Sequence, residues 1–494
     1  MSIDWLSKSR DLQLRVRNFV DGRWSESGGK PLEKYGPRYG QLLCRFGAGV
    51  TEEVNGAIAS ARRAFEDGRW SKLPVQRRKD VLHKLAALME ERSEELALLE
   101  CLDVGKPISA AFGFDVPTAV STIRFSAEAA DKFYGKVYGV DQSNLTYQLH
   151  RPIGVVAGIV GWNFPLLLAV AKIGPALATG NCLVLKPSEL TSFSAARIAE
   201  LALEAGVPEG VLNVIHGDGG VGAALAQHHD VNLVTFTGST QTGKKLLIAS
   251  GQSNMKRLIL ECGGKAPNIV FDDSPDLEAV ADAVVGRAFW NQGQVCTASS
   301  RLLIQDSIKD ELLRIVIKKT SALQLGDPLK AETKFGAVVS QGHKQKVLGY
   351  IDSGERDARM AYRSESPAPY ESGFYVPPVI FDHVSPEQKI AQEEIFGPVL
   401  SVISFRDEGE AVRIANNTIY GLSAILWTKD LGRAHRVTHG IEAGWIVVNA
   451  TDKPMGGSGD TMSVGGHKES GIGVEGGIEG LEAYTTRTAV QYFV

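Results

Sequence analysis

Paired cysteines are missing from this sequence. Its five cysteines, Cys44, Cys101, Cys182, Cys262 and Cys296, are odd in number and widely spaced, with no Cys-x-x-Cys pair and no Cys/His cluster. Neither a disulfide framework nor a metal site is suggested. An excess of one charge is missing too. The net charge is -4, and Lys and Arg are scattered among Asp and Glu, with nothing more basic than the short clusters around Arg62 and Arg77. Nucleic acid and anionic membrane surfaces are therefore not expected as partners. The start, Met1 to Val20, alternates charged with apolar residues and lacks the unbroken apolar core of a signal peptide. Ile153 to Ala171 carries no charge and is about long enough to span a bilayer. Asn163 and Pro165, with Gly154, Gly158 and Gly161, would break the helix that lipid demands. The stretch reads as a buried strand, a loop and a helix. The expectation is a cytoplasmic protein with reduced thiols. Short repeats and low-complexity segments are absent as well.

What is present is the balance of a soluble globular protein rather than a disordered one. Apolar residues make up 44% and charged residues 22% of 494 residues, which calls for two to four domains. Thr51 to Phe65 and Pro74 to Leu102 show apolar residues at three- and four-residue intervals and predict helices. From Gly154 onward, short apolar runs alternate with helical patterns. Val155 to Val160, Cys182 to Leu185, Val211 to Ile215 and Leu233 to Phe236 predict buried strands, with helices over Ser194 to Glu204 and Gly222 to His228 between them. A second alternating block begins near Pro267: Asn268 to Phe271 as strand, Asp276 to Trp290 as helix, then Arg301 to Ile304, Val399 to Phe405 and Trp445 to Val448 as strands. Both blocks predict an α/β fold with parallel, doubly wound sheets, joined near Glu261 to Ala266. Gly456 to Gly477 predicts a glycine-dense loop, and Ala483 to Val494 a closing strand.

Several short stretches could carry chemistry. Asn291-Gln292-Gly293-Gln294-Val295-Cys296 places a cysteine in a tight loop, where partial access and polar surroundings would favour thiolate. An arbitrary cysteine is better read as a small buried hydrophobe, but the flanking Gly and Gln residues argue against that here. Glu261, at the end of an apolar run and before Gly263-Gly264-Lys265, suits a general base whose pKa burial raises. An ion pair with Lys265 is the alternative. Asn163, in Trp162-Asn163-Phe164-Pro165, can donate to an oxyanion or simply form the turn before a helix. Lys186 and Glu189, after a strand, can hold ribose hydroxyls or cap a helix. Gly238-Ser239-Thr240 leads into a helix N-terminus that would face an anion. Gly238 to Lys244 nearly matches a Walker phosphate loop, but Lys245 stands where Ser or Thr must hold magnesium. Gly217 to Gly222 also fits Gly-x-Gly-x-x-Gly, a weak dinucleotide signal.

Taken together, and in this order, these motifs resemble the aldehyde dehydrogenase superfamily over nearly the whole chain, from Phe19-Val20-Asp21-Gly22 to the tail. Glu393-Glu394-Ile395-Phe396-Gly397-Pro398 completes the set. The resemblance implies that Cys296 attacks the aldehyde while the Asn163 amide and the Cys296 backbone N–H hold the oxyanion. Hydride passes to NAD, with NADP as a second cofactor, and Glu261 activates water against the thioester. By the same resemblance Lys186 and Glu189 hold the adenosine ribose and Glu394 the nicotinamide ribose. Trp162, Gly238, Ser239 and Phe396 lie beside the cofactor, and Lys172 and Glu475 match proton-relay positions.

The resemblance also implies a cofactor domain (1–130 and 153–262), a catalytic domain (263–465) and a small oligomerisation element (131–152 and 481–494), assembled as a homodimer or homotetramer. Three features depart from the family's pattern. Cys262 replaces Leu and could add redox sensitivity. Ser463-Val464 replaces Pro-Phe, after an unusual Gly456 to Gly459 stretch, and Val474 replaces Arg. Trp290, Leu168, Ala171, Val295 and Thr297 are the implied pocket neighbours. They include no arginine for a second carboxylate, which favours an amino or neutral aldehyde. Two other classes remain as alternatives: a P-loop nucleotide hydrolase, and a non-catalytic protein of the same fold, which would be expected to lack the nucleophile or base.

Overall fold

The computed structural model describes residues 3–139, 143–365, 372–450 and 461–493. Gly456 to Gly459 lies outside the described residues. Two sheets organise the chain. The first has eight strands in the order Arg23–Ser25, Asn18–Val20, Leu212–Val214, Cys182–Lys186, Val155–Ile159, Leu233–Thr237, Arg257–Glu261, Gly471–Ile472. Its five central strands run parallel. After Val155–Ile159 the chain winds outward through Cys182–Lys186 to Leu212–Val214, then returns to the other flank of Val155–Ile159 with Leu233–Thr237. That reversal opens a crevice at the carboxyl ends of the strands, the usual ligand position in an open α/β sheet. The register aligns those ends, since Ile159 pairs with both Lys186 and Phe236, and Glu261 with Thr237.

Val155–Ile159 and Cys182–Lys186 are buried at every position and Leu233–Thr237 at all but its last, because helices cover the sheet on either side, so these strands read as largely apolar runs. The helix Pro165–Ala178 starts with proline at its first position, where no N–H is needed. The helix expected over Pro74 to Leu102 is instead two, Val75–Glu91 and Ser93–Val104, broken at Arg92. The apolar period runs on through the break and hides it, whereas Ser93-Glu94-Glu95 carries the acidic start of a second helix.

The second sheet has seven strands: Arg359–Arg363, Val379–Asp382, Val399–Phe405, Arg301–Gln305, Pro267–Val270, Ser423–Trp427, Trp445–Val448. All are parallel except the first. Separately, Asn144–Pro152 and Thr485–Phe493 form an antiparallel ribbon along their full lengths, with Tyr134, Leu145, Tyr492 and Phe493 exposed. Among the described residues no helix is long and apolar enough to cross a membrane.

Candidate active site

The nucleophile loop turns through left-handed backbone. Helix Leu277–Phe289 ends, and Asn291 (φ 48°), Gln292 (φ 59°) and Gly293 (φ 72°) follow in the left-handed region. Two consecutive non-glycine residues there cost on the order of 1–3 kcal/mol each and persist only where neighbours over-determine them. The neighbours are specific. Asn291 Nδ2 donates to Asn163 O at 3.0 Å, and Gln294 Nε2 donates to Asn291 O at 3.1 Å. Val339 N donates to Gln294 Oε1 at 2.9 Å, and Gln292 is buried against Gly336 and Ala337. The Asn163 amide donates to Gln294 O at 3.0 Å. The turn before Cys296 is thereby tied to the turn bearing Asn163. Gly264 packs on the other side, where a Cβ would come within 2.2 Å of Cys296 O.

Cys296 itself is half-buried. Its surroundings do not favour thiolate, contrary to expectation. Burial, with the carboxylates of Glu394 and Glu261, pushes the thiol up to about 12, against weaker help from the N–H groups of Cys296 and Thr297. The two Gln side chains that suggested a polar environment are spent on stitching the loop. The resting thiol is protonated, and attack needs a base.

Glu261 ends its strand beside it. Burial raises its carboxyl above the usual range, and Lys172 opposes that rise. Glu261 Oε1 has no hydrogen-bond partner among the described residues. The alternative pairing with Lys265 is not formed: the Gly-Gly turn carries Lys265 to the second sheet, where its carbonyl accepts from Arg301 Nε at 2.9 Å. Lys172, buried on helix Pro165–Ala178, contacts the Glu475 carboxylate. Burial lowers its pKa while Glu261 pulls it back up. Thr235 Oγ1 donates to Glu475 Oε1 at 3.4 Å and accepts from the Tyr484 hydroxyl at 3.2 Å. The atypical Ser463-Val464 pair cradles Glu475: Val464 and Glu475 exchange backbone hydrogen bonds at 2.8 Å, and Ser463 Oγ donates to Gly476 O at 3.0 Å.

Along the crevice, Lys186 Nζ lies 3.4 Å from Glu189 Oε2. Ser239 Oγ accepts from Thr242 N at 3.2 Å and caps helix Thr240–Gln252 just after Gly238. On the opposite sheet Glu394 Oε1 accepts from Gly264 N at 2.9 Å, and the Phe396 ring meets Trp162 edge-on at 5.1 Å. A cation, two acceptor carboxylates, a capped helix N-terminus and aromatic faces are the kinds of group that can hold a dinucleotide. His343 belongs to this wall and carries no motif. Its ring lies 4.9 Å from Trp162 and its Nε2 is 2.7 Å from Phe396 O; a Ser340 helix cap three residues earlier was the only local signal.

The phosphate-loop alternative is not supported. Gly243 and Lys244 lie inside helix Thr240–Gln252, and Lys244 Nζ pairs with Glu469 at 2.8 Å, so no phosphate loop forms. Cys262 is buried and its thiol is pushed up to about 12, mainly by burial.

A family model described as "Aldehyde dehydrogenase family" matches residues 24–490. The chain is 43% identical over 484 residues to the NADP/NAD-dependent aldehyde dehydrogenase PuuC of Escherichia coli, covering 97% of this chain and 96% of that one. It is 44% identical over 465 residues to an aminoacetaldehyde dehydrogenase of Pseudomonas aeruginosa, covering 94% and 92%. Among solved structures, P. syringae indole-3-acetaldehyde dehydrogenase AldA, in complex with NAD+ and IAA, superposes with a TM-score of 0.96 at 44% identity, covering 99% of both chains.

Proposed function

The chain belongs to the aldehyde dehydrogenase family, and from that premise we propose how its own residues oxidise an aldehyde to a carboxylic acid. Cys296 Sγ attacks the aldehyde carbon as its proton passes to solvent water, which the half-buried site admits. The Asn163 amide and the Cys296 N–H stabilise the oxyanion. NAD, when bound, accepts the hydride. The thioester left on Cys296 is hydrolysed by water that Glu261 deprotonates, and Lys172 with Glu475 carries the proton away. One observation carries this reading: the Asn163 amide is fixed on Gln294 O, two residues before the thiol, so oxyanion donor and nucleophile move as one unit.

Lys186 and Glu189 would hold the adenosine ribose, with Gly238 and Ser239 against the phosphates. Glu394 would take the nicotinamide ribose, and Trp162 and Phe396 flank it. Phe114 and Phe164 meet Trp290 at 4.6 and 5.4 Å, and with Leu168, Val295 and Thr297 they make an apolar approach to Cys296 suited to amino or neutral aldehydes. Names of relatives include both an aminoacetaldehyde and an indole-3-acetaldehyde dehydrogenase. Turnover of an aldehyde panel, followed by NADH absorbance, tests the proposal; no NADH with any aldehyde would sink it. The cofactor domain is assigned to 1–130 with 153–262 and the catalytic domain to 263–465, in a cytoplasmic enzyme whose five cysteines are all free. The exposed ribbon is the proposed oligomerisation surface, since a lone two-stranded ribbon is marginal in water; light scattering of a tail-truncated chain should lose the dimer or tetramer.

The half-exposed Glu189 beside Lys186 predicts a preference for NAD, because its carboxylate repels a 2′-phosphate. Glu189→Gln is expected to raise NADP usage relative to NAD by roughly tenfold, the equivalent of about 1.4 kcal/mol. An unchanged ratio of kcat/KM values would show that another group discriminates.

A further inference from the structure

Beneath the Asn163 turn lie three ionisable side chains that the chemistry above does not use. Glu100 on helix Ser93–Val104, Lys106 just past its end, and Asp115 closing the π-helical turn Ala111–Asp115 are 0%, 1% and 1% exposed. Charges at this depth are kept only where partners compensate them. Lys106 Nζ contacts the Asp115 carboxylate and also sits 4.0 Å from the centroid of the Phe164 ring. Glu100 Oε1 accepts from Leu166 N at 2.9 Å. This last bond fills a specific vacancy. Helix Pro165–Ala178 begins with a proline that has no N–H, and its N-cap residue, Phe164, offers no side-chain cap. Leu166 N is therefore the first orphan donor of the helix, and a carboxyl oxygen from another helix caps it.

The two contacts grip Phe164 and Leu166, immediately after Asn163. On the other side Asn163 is held by Asn291 and Gln294. The same trio reaches the opposite wall too: Asp115 anchors the π turn whose Phe114 ring packs edge-on against Trp290 at 4.6 Å, at the start of the nucleophile loop. π turns recur at functional sites because they re-aim side chains.

We propose that Glu100 and Lys106 are positioning residues, fixing the Asn163 amide through Leu166 and Phe164 so that it meets the oxyanion; this rests on the oxyanion role assigned to Asn163. The test uses Glu100→Ala, Glu100→Gln and the charge-neutral pair Lys106→Met with Asp115→Asn, which removes both partners of the buried ion pair together. Displacement of a reacting group by about 1 Å costs up to roughly a hundredfold in rate. Glu100→Ala and the paired variant should therefore lose roughly ten- to a hundredfold in kcat, with NAD affinity by fluorescence titration unchanged. Glu100→Gln, which keeps an acceptor for Leu166 N, should recover most of the rate. Asn163→Ala should itself be slow, and adding Glu100→Ala to it should cost nothing further, because both act through one donor. If folded Glu100→Ala and the paired variant turn over normally and only melt earlier, the trio is core packing and the inference fails alone. Losses that multiply in the Asn163→Ala background would likewise overturn it. Normal turnover by Asn163→Ala would instead remove the oxyanion role, and this inference with it.

Discussion

Cys296→Ala is expected to lower aldehyde oxidation by roughly 10⁴-fold or more, the scale of losing a covalent nucleophile, while NAD binds as before. The turn preceding residue 296 is held by Asn291, Gln292 and Gln294 through contacts that do not involve the thiol, so alanine removes chemistry and leaves geometry. Mass spectrometry of the quenched enzyme should find an acyl adduct on the wild type and none on the variant. Alanine at Cys44, Cys101 or Cys182 should spare most activity per folded molecule; of these, Cys101 and Cys182 are core side chains, so stability is where they should register. Normal turnover by Cys296→Ala would remove the central claim. The raised thiol pKa adds a sign. Without substrate, Cys296 is protonated at neutral pH, so its alkylation by iodoacetamide should accelerate steadily as the pH is raised.

That sign is also where the sequence misleads. Gln292 and Gln294 beside a cysteine look like polar solvation, yet their amides are turned toward Gly336, Ala337 and Val339, and the thiol is left to burial and two carboxylates. Composition near a residue does not say which way side chains point. Buried parallel strands are legible because both faces are covered: Val155–Ile159 and Val399–Phe405 lie where the apolar runs place them. The edge strand Gly471–Ile472 is not. It joins Glu261 by antiparallel pairing from far along the chain, and two residues carry no period. The same division holds in the site. Glu261 and Cys296 stand out because Gly264 and Gly293 beside them allow backbone approaches that a Cβ would block, which leaves a mark in the sequence. His343, Glu100 and Lys106 leave none. Their roles are contacts across 53 residues to Phe396 and 66 residues to Leu166, or with a ring, and an isolated His, Glu or Lys in a helical pattern suggests only a solvated face.

Glu261→Gln should separate the two halves of the reaction. Glutamine keeps the shape of the side chain but cannot accept a proton from water, so hydride transfer should persist while thioester hydrolysis slows by roughly 10²–10⁴-fold, the usual worth of a general base. Stopped-flow absorbance should show an NADH burst near one equivalent per site, followed by a steady state that has almost stopped. Equal loss of both phases would mean that Glu261 instead deprotonates Cys296 or holds the cofactor. The pH dependence checks the same assignment. Glu261 works as a carboxylate, and burial lifts its pKa from the acidic range toward neutral. Wild-type steady-state turnover should therefore fall as pH drops below neutral, and Glu261→Gln should lose that acid limb along with its rate. Lys172 fixes where the limb lies. Its ammonium charge opposes the rise in the Glu261 pKa, so Lys172→Met removes the opposing charge and should move the acid limb to higher pH, leaving the enzyme slower at neutral pH and partly restored in alkaline buffer. A limb that stays in place or moves to lower pH would mean that Lys172 does not act on Glu261, and that its contact with Glu475 is structural.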